Sequence, residues 1–369
     1  MISSSATSGA ERHTFSLSKQ LLQLGHEVEV IVPGPGWLPD LFHEAGIPVH
    51  VSPMKGRGWI RTIRLVLRLQ RHRRFDVVHT HLTRAAYLGY MVGRLQRAPI
   101  VTSVHIANND QIYKRLAHGR NRLVAVSNYV RGMLHGRGIQ ERYIETVYNG
   151  TDFHEMAATD PQQIRDEFHI PSDRRIIGLI GRVCKEKGHL EMVEAMREVR
   201  RAHPEAHALF AGRIDDGFAQ EFDEAVASAG IADQVTVAGV RHDIPRILDA
   251  VTLTSMPSYI ETFGVAAIEA MARGKAVVAS NVGALPEVVS HGRTGLLIDL
   301  RPEALADAIN FLLSHDAERE KMGRLGRLTV ERRFSNRLMA KRFEEVYERA
   351  LGHAHSVPIE EDLRELVEL

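Results

Sequence analysis

The chain has 369 residues, of which 44% are hydrophobic and 25% are charged, and its formal net charge is +1. This composition is ordinary for a globular protein, and the near-zero charge gives no argument for a nucleic-acid partner. Because single hydrophobic cores stop growing at ~250–300 residues, the length predicts two domains. The single cysteine, Cys184, excludes an internal disulfide and fits a reducing compartment.

The sequence does not predict insertion into a membrane or export across one. Its apolar runs fall short of the ~18–20 residues needed to span a bilayer. No Lys or Arg precedes Arg12, and Ser3-Ser4-Ser5 is not an apolar segment, so no signal peptide is expected. We therefore expect a cytoplasmic protein.

Short apolar segments alternate with amphipathic helical segments along the whole chain. This alternation predicts parallel sheets built from strand–helix–strand units, and its presence in both halves predicts two Rossmann-like domains. A strand is also expected before Gly9, but only residues 1–5 are available for it, so it is either very short or incomplete upstream. The predicted strands are 28–32, 75–79, 100–104, 123–126, 146–148, 176–180, 208–211, 235–237, 253–256 and 276–279.

The division between the domains is predicted within residues 149–173, where Asn-Gly, Asp-Pro and Pro-Ser-Asp turn signals cluster. We assign residues 1–155 to an N-terminal domain and residues 156–335 to a C-terminal domain. A last helix is predicted at 336–351, followed by a tail at 352–369. Ligands bind at the carboxyl ends of parallel strands, so the site is expected in a cleft between the two domains.

The pair Glu261 and Glu269 is the most informative feature of the sequence. Glu261 lies in a loop that closes at Gly264, and Glu269 lies about one turn into the following helix. The start of that helix offers backbone N–H groups to an anion, and the carboxylates can hold hydroxyl groups. A phosphate flanked by hydroxyls describes a nucleotide sugar. The alternative is a capped helix with two solvent-facing acids.

A glycine-bounded basic loop follows the predicted strand 176–180. Arg182 and Lys187 lie between Gly181 and Gly188, at the carboxyl end of that strand. One planar and one compact cation suit a pyrophosphate. The alternative is a solvated basic loop.

Gly9 opens the first predicted helix, where the lack of a side chain lets the backbone approach a phosphate. The chain contains no Gly-x-Gly-x-x-Gly motif, and this counts against a dinucleotide oxidoreductase.

Three histidines lie at the ends of two predicted strands. His105 follows strand 100–104, and His79 and His81 end the neighbouring one. The sequence has neither a His-Glu-x-x-His motif nor a cysteine cluster, so no metal is predicted. We expect a hydrogen-bonding role for His105 and packing roles for the other two.

The segment from Lys55 to Arg74 carries eight Lys or Arg residues and no acid. A basic amphipathic helix of this kind can lie on an anionic membrane surface, or it can pack on the sheet with its arginines in water. Both interpretations stay open. The arginines at helical spacing are Arg57, Arg61, Arg64, Arg68 and Arg71.

Taken together, these motifs resemble glycosyltransferase family 4, a family of retaining sugar transferases with the GT-B fold. The resemblance extends over nearly the whole chain, and the order and spacing of the motifs make it specific. The matching segments are Ser8-Gly9-Ala10-Glu11, Asp76 to His81, Thr102 to His105, Val126-Ser127, Tyr148 to Asp152, Gly181-Arg182, Lys187-Gly188, Gly239 to Asp243, Glu261 to Glu269, Gly283 to Glu287, Gly292 and Gly295.

The resemblance implies roles for the donor-site residues. Glu261 would hold hydroxyls of the donor sugar, and Glu269 would hold the ribose. Arg182 and Lys187 would neutralise the departing diphosphate. The segment Phe263-Gly264-Val265 would supply backbone contacts to sugar and phosphate.

The resemblance also implies roles outside that segment. His105 would contact the donor sugar near the reacting carbon, and Gly9 would let the backbone close on the phosphate. The last helix would cross back to the N-terminal domain. The sequence departs from the family pattern at Ser8, Arg213 and Ala284.

The resemblance implies a retaining transferase that moves a sugar from a UDP-sugar or GDP-mannose to a glycan or lipid-linked acceptor, as in polysaccharide biosynthesis. The implied reaction needs no cofactor, because the nucleotide sugar is a co-substrate. It also needs no metal. An anionic membrane surface is a further expected partner, through Lys55 to Arg74. The alternatives are a non-catalytic sugar-nucleotide-binding protein and a nucleotide-sugar epimerase.

Overall fold

The computed structural model describes residues 1–5, 9–106 and 110–353 of the chain. These residues form two compact units. Unit 1 comprises Met1–Ala125, Met133–Val147 and the chain from Ala340 onward, and unit 2 comprises Val126–Gly132 and Tyr148–Met339. Ser8 and most of the predicted tail lie outside the described residues.

Helices and strands alternate from the first helix onward. The first half contains α1 (Gly9–Gln23), β1 (Val30–Val32), α2 (Trp37–Glu44), β2 (Val49–Val51), α3 (Gly58–Arg73), β3 (Val78–His81), α4 (Thr83–Gly93), β4 (Ile100–Val104), α5 (Ile112–Leu116), β5 (Arg122–Ala125), α6 (Asn128–Gly136) and β6 (Ile144–Thr146).

The same alternation continues in the second half as far as β12, and three consecutive helices follow. It contains α7 (Gln162–Glu167), β7 (Arg175–Ile180), α8 (His189–Ala202), β8 (Ala206–Ala211), α9 (Ala219–Ala229), β9 (Val235–Gly239), α10 (Ile244–Ala250), β10 (Leu253–Met256), α11 (Val265–Ala272), β11 (Val277–Ser280), α12 (Leu285–Val288), β12 (Gly295–Ile298), α13 (Pro302–Ser314), α14 (Asp316–Arg333) and α15 (Asn336–Leu351).

Unit 2 contains a six-stranded parallel sheet in the order β12-β11-β10-β7-β8-β9. The order reverses direction between β10 and β7, as in a doubly wound fold, where ligands bind beyond the carboxyl ends of the strands. The central strands are buried on both faces, because helices cover them. Side chains such as Phe210, Met196 and Ile309 form a fully buried core.

Unit 1 contains the parallel sheet β3-β4-β5-β6 and a parallel pair, β1-β2. Residues near the N-terminus do not form a full strand. Ile2 makes an isolated bridge with His81, and its N–H donates to the carbonyl of Ile31 at 3.1 Å. The predicted α/β class with two Rossmann-like parallel sheets is confirmed.

Several predicted strand limits were wrong. The strand predicted at 75–79 begins only at Val78, and the one predicted at 146–148 ends at Thr146. The strands β2 and β12 were not predicted. In β2, His50 interrupts the apolar residues, whereas the short apolar run of β12, Leu296 to Ile298, was missed and is only half-buried. Among the described residues, no helix is long and apolar enough to cross a membrane.

Candidate functional site

The predicted cationic loop and the predicted glutamate loop follow neighbouring strands of the unit 2 sheet. The cationic loop follows β7 and the glutamate loop follows β10, and these strands pair in parallel. The two loops therefore leave the same edge of the sheet side by side. Their contact is very close: a Cβ on Gly188 would lie 1.8 Å from the carbonyl oxygen of Pro257.

Lys187 and Glu261 form an ion pair across these loops. The Lys187 side chain is 28% exposed and the Glu261 side chain 11% exposed, so water screens the pair only in part. The Ser258 hydroxyl also donates to Glu261 Oε1, at 3.3 Å. Glu261 is thus held in place before any ligand arrives.

Arg182 is held by two acids that the sequence motifs did not single out. Its guanidinium donates to Asp215 Oδ2 at 2.6 Å and to Glu186 Oε2 at 2.7 Å. Asp215 also accepts from Arg213, at 3.3 Å. The sequence offered no signal for Asp215, since it follows β8, whose place beside β7 is set by the sheet order.

Helix α11 begins directly after the glutamate loop. Gly264 precedes its first residue with φ +100°, which favours glycine. Phe263 is buried against Tyr148 and Phe334, with ring centroids 5.8 Å away from each. Val265 starts the helix, and Glu269 lies one turn further on with 7% exposure.

The loop that follows β11 contacts the backbone of the glutamate loop and holds it in place. The Ala284 N–H donates to the carbonyl oxygen of Glu261 at 3.0 Å. A Cβ on Gly283 would lie 2.0 Å from the same oxygen. This close contact explains a glycine at position 283.

His105 follows β4 in unit 1 and meets the end of β3. Its Nε2 lies 3.3 Å from Nδ1 of His81, and its ring centroid lies 4.8 Å from that of His13. Burial lowers the pKa of His105 to about 4 and the pKa of His81 well below its usual value. Both imidazoles are therefore neutral near pH 7.

His79 lies in the sheet and makes two hydrogen bonds. Its Nδ1 lies 2.8 Å from the Tyr347 hydroxyl and its Nε2 lies 2.9 Å from the Ser103 hydroxyl. Burial lowers its pKa well below the usual value. His79 packs against Phe343 as expected, and it also makes two hydrogen bonds that the expected packing role did not include.

Within the described residues, one histidine group has a spacing that would suit a metal ion. Ligand atoms of His13, His81 and His105 all lie within 4.8 Å of one another. His13 belongs to none of the sequence motifs, because it lies on α1 and reaches the other two histidines only through tertiary packing. That the reaction needs no metal stays a prediction.

The predicted site residues are divided between the two units. Unit 1 carries His105 and Gly9, which is the first residue of α1. In unit 2, the sheet brings the cationic loop, the glutamate loop and the start of α11 together. The unit 2 members are Gly181, Arg182, Lys187, Glu261, Phe263, Gly264, Val265 and Glu269.

Two protein-family models match the chain in succession. One, described as glycosyltransferase family 4, matches residues 7–155, and the other, described as glycosyl transferases group 1, matches residues 160–329. Together they account for most of the chain.

The chain is also similar to characterised sequences and to solved structures. It is 27% identical to a phosphatidyl-myo-inositol mannosyltransferase of Mycobacterium tuberculosis, over 95% of this chain and 96% of that protein. It is 27% identical to a D-inositol 3-phosphate glycosyltransferase of Nocardioides, over 75% of this chain and 68% of that protein.

Two solved structures share the fold at low sequence identity. A glycosyltransferase from Rickettsia africae superposes with a TM-score of 0.85 at 24% identity, over 96% of this chain and 98% of that one. Anabaena Alr3699/HepE, in complex with UDP and glucose, gives 0.82 at 22% identity, over 93% of this chain and 98% of that one. These similarities support the predicted GT-B fold.

Proposed function

This chain belongs to the group 1 glycosyltransferases of family 4, which use sugar-nucleotide donors, and we propose that it is a retaining, metal-independent hexosyltransferase. The proposed donor is a UDP-sugar or GDP-mannose, and the proposed acceptor is a glycan or a lipid-linked glycan. The relatives named above are transferases, and none supports the epimerase or the non-catalytic alternative.

The proposal is carried by one observation: Lys187 and Glu261 form an ion pair where the loops after β7 and β10 leave the sheet, and Arg182 lies on the same loop as Lys187. When the bond between the sugar and the diphosphate breaks, negative charge develops on the phosphate oxygen. Two fixed cations and the first turn of α11 can stabilise this charge without a metal. Lys187 has three N–H donors, so it can keep its contact with Glu261 while binding a phosphate oxygen.

Retention of configuration is proposed to follow from attack on the face from which the diphosphate leaves. The acceptor oxygen forms a bond to the anomeric carbon as the carbon–phosphate-oxygen bond breaks. The acceptor proton passes to the departing phosphate oxygen, which balances the charge. His105 is assigned a hydrogen bond to the donor sugar. Its lowered pKa keeps the imidazole uncharged near pH 7, so it would make this bond as a neutral group.

A peripheral membrane contact through α3 is proposed as the route to a lipid-linked acceptor. The buried residues of the helix are Thr62, Ile63 and Val66, and the helix therefore packs by one face. Trp59 and Ile60, near its start, are 40% and 39% exposed. The exposed arginines on the helix and just before it are Arg57, Arg61, Arg64, Arg68 and Arg71.

The first experiment measures thermal stabilisation by UDP, GDP and ADP and by their sugar conjugates. A ligand that binds only the folded state raises the melting temperature by mass action. A shift with one nucleotide that one sugar enlarges would identify the donor. If no nucleotide shifts the transition, the proposed donor site is wrong.

The second experiment determines the product. A new glycoside with the anomeric configuration of the donor supports the transferase, whereas an epimerised donor sugar supports the alternative. An inverted anomer contradicts retention. Turnover that survives excess EDTA supports a metal-independent reaction, and turnover that EDTA abolishes contradicts it.

A further inference from the structure

We propose that unit 1 binds the acceptor through a phosphate group, which Lys55 and Arg84 hold in a cavity beside His105. The inference rests on the proposed transferase function and deepens it, because it assigns a chemical class to the acceptor. The donor diphosphate is assigned to a different pair of cations, in unit 2.

The cavity has a volume of about 770 Å³ and is lined entirely by residues of unit 1. Its walls come from the loops that follow β1, β2, β3 and β4. These are the carboxyl ends of parallel strands, where open α/β sheets bind their ligands. The position and size suit a polar small molecule or the head of a larger one.

The charge of the cavity is one-sided. Lys55 and Arg84 line it, and none of the described lining residues is Asp or Glu. The Arg84 guanidinium donates to the carbonyl oxygen of Ser3, at 3.4 Å. Neither cation forms a salt bridge with a described residue, in contrast to Arg182, which two acids hold.

The start of α4 and two hydroxyl groups add to the positive charge of the cavity wall. Thr83 and Arg84 lie in the first turn of α4, an eleven-residue helix with no acid in that turn. The positive end of this helix therefore faces the cavity, where it favours an anion. The hydroxyls of Thr83 and Tyr113, 3.2 Å apart, also line the cavity.

A dianionic or monoanionic phosphate fits this set better than a carboxylate does. A phosphate has several oxygens, so it can accept from a planar guanidinium, a compact ammonium and a hydroxyl together. His105 lines the same cavity. A phosphate held there would place the rest of the acceptor next to the residue assigned to the reacting sugar.

Lys55 and Arg84 are accordingly assigned to acceptor binding and not to the chemical step. Loss of either cation should raise the acceptor KM while leaving donor binding unchanged. Because both side chains are exposed, their replacement should change the melting temperature little.

The test uses the full chain with its donor site filled by the nucleotide that stabilises it. Calorimetric titration with inorganic phosphate compares the wild type with Lys55→Ala, Arg84→Ala and the double variant. Arg94→Ala is the matched control, because Arg94 is exposed just beyond the end of α4 and does not line the cavity. Lys55→Arg keeps the charge and should keep most of the affinity.

We expect each alanine variant to lose about tenfold or more in phosphate affinity, since hydrogen bonds to charged groups are the strong ones. Arg94→Ala should leave the phosphate affinity unchanged. The nucleotide affinity should not change in any of these variants. Wild-type phosphate affinity in the double variant would overturn the proposal, as would the absence of saturable phosphate binding to the wild type. Failure of the nucleotide to bind the wild type would instead overturn the proposed function.

Two further titrations identify the source of the phosphate. Glycerol 3-phosphate tests a soluble monoester, and vesicles that contain phosphatidic acid test a lipid head group. Competition of either with inorganic phosphate, lost in the double variant, would support the site. If neither competes, the assignment of the cavity to a phosphate-bearing acceptor is wrong.

Discussion

The ammonium of Lys187 and the carboxylate of Glu261, 74 residues apart in the chain, form an ion pair where two adjacent strands end. In the proposed function, this ion pair preorganises Lys187 for the diphosphate and Glu261 for the sugar of the same donor. The ion pair compensates both charges before a ligand binds, and the remaining N–H donors of Lys187 stay available to a phosphate oxygen.

Replacement of Lys187 by alanine should lower kcat by about 100-fold or more, because a preorganised charge at the leaving group is lost. Lys185→Ala is the control: it removes the same charge from the same short loop, at an exposed position. Circular dichroism should show an intact fold in both variants. Wild-type turnover in Lys187→Ala would contradict the assigned role.

The change Gly283→Ala should destabilise unit 2 and impair donor binding. The new Cβ would lie 2.0 Å from the Glu261 carbonyl oxygen, and the residue also has φ +55°. Gly292→Ala is the matched control, since Gly292 has φ +73° but nothing within 4 Å of the new atom. We expect urea unfolding to show a loss of about 1 kcal/mol for the control, from backbone strain, and a clearly larger loss for Gly283→Ala. Equal losses of unfolding free energy in the two variants would mean that the loop moves enough to relieve the steric clash.

The buried histidines of unit 1 should make the protein less stable in acid. Burial lowers the folded-state pKa of His105 to about 4, below its usual value of 6.5. Between these values the unfolded chain binds more protons than the folded one, so the free energy of unfolding falls as the pH drops from about 6.5 to 4. Above pH 7 this group contributes no pH dependence.

The variant His105→Gln tests that sign. Its unfolding free energy should fall less steeply between pH 6.5 and 4 than that of the wild type, by at most about 3 kcal/mol in total. His154→Gln serves as a comparison, because it removes a histidine of unit 2 from outside this cluster. An unchanged acid slope in His105→Gln would show that the imidazole is protonated as easily in the folded state as in the unfolded one.

Membrane binding through α3 should depend on its exposed arginines. The triple change of Arg61, Arg64 and Arg68 to glutamate should abolish sedimentation with vesicles rich in phosphatidylglycerol, since each cation near an anionic surface contributes about 1 kcal/mol. A triple change of Arg197, Arg200 and Arg201 on α8 is the control, because these arginines lie on unit 2. Equal recovery of wild type with neutral and anionic vesicles would rule out this contact.

The sequence determined the architecture because its signals are local. Buried strands such as 100–104 and 253–256 were predicted at their observed limits, since a short apolar run between turn residues needs no partner to be recognised. The strand β2, which is only partly buried, was not predicted, and the predicted limits were wrong at β3, where polar histidines form part of the strand.

The sequence predicted on which loops the candidate donor residues lie, but it did not predict their contacts. The sequence placed Lys187 and Glu261 on loops that follow strands, yet only the pairing of β7 with β10 decided that they touch. Only the tertiary structure revealed the contacts of Asp215 and His13. It alone placed Lys55 and Arg84 in the same cavity. The physical reason is that hydrophobic periodicity specifies which segments become strands. The partners of a charged side chain depend instead on the order in which those strands pair, and neighbouring residues in the sequence do not encode that order.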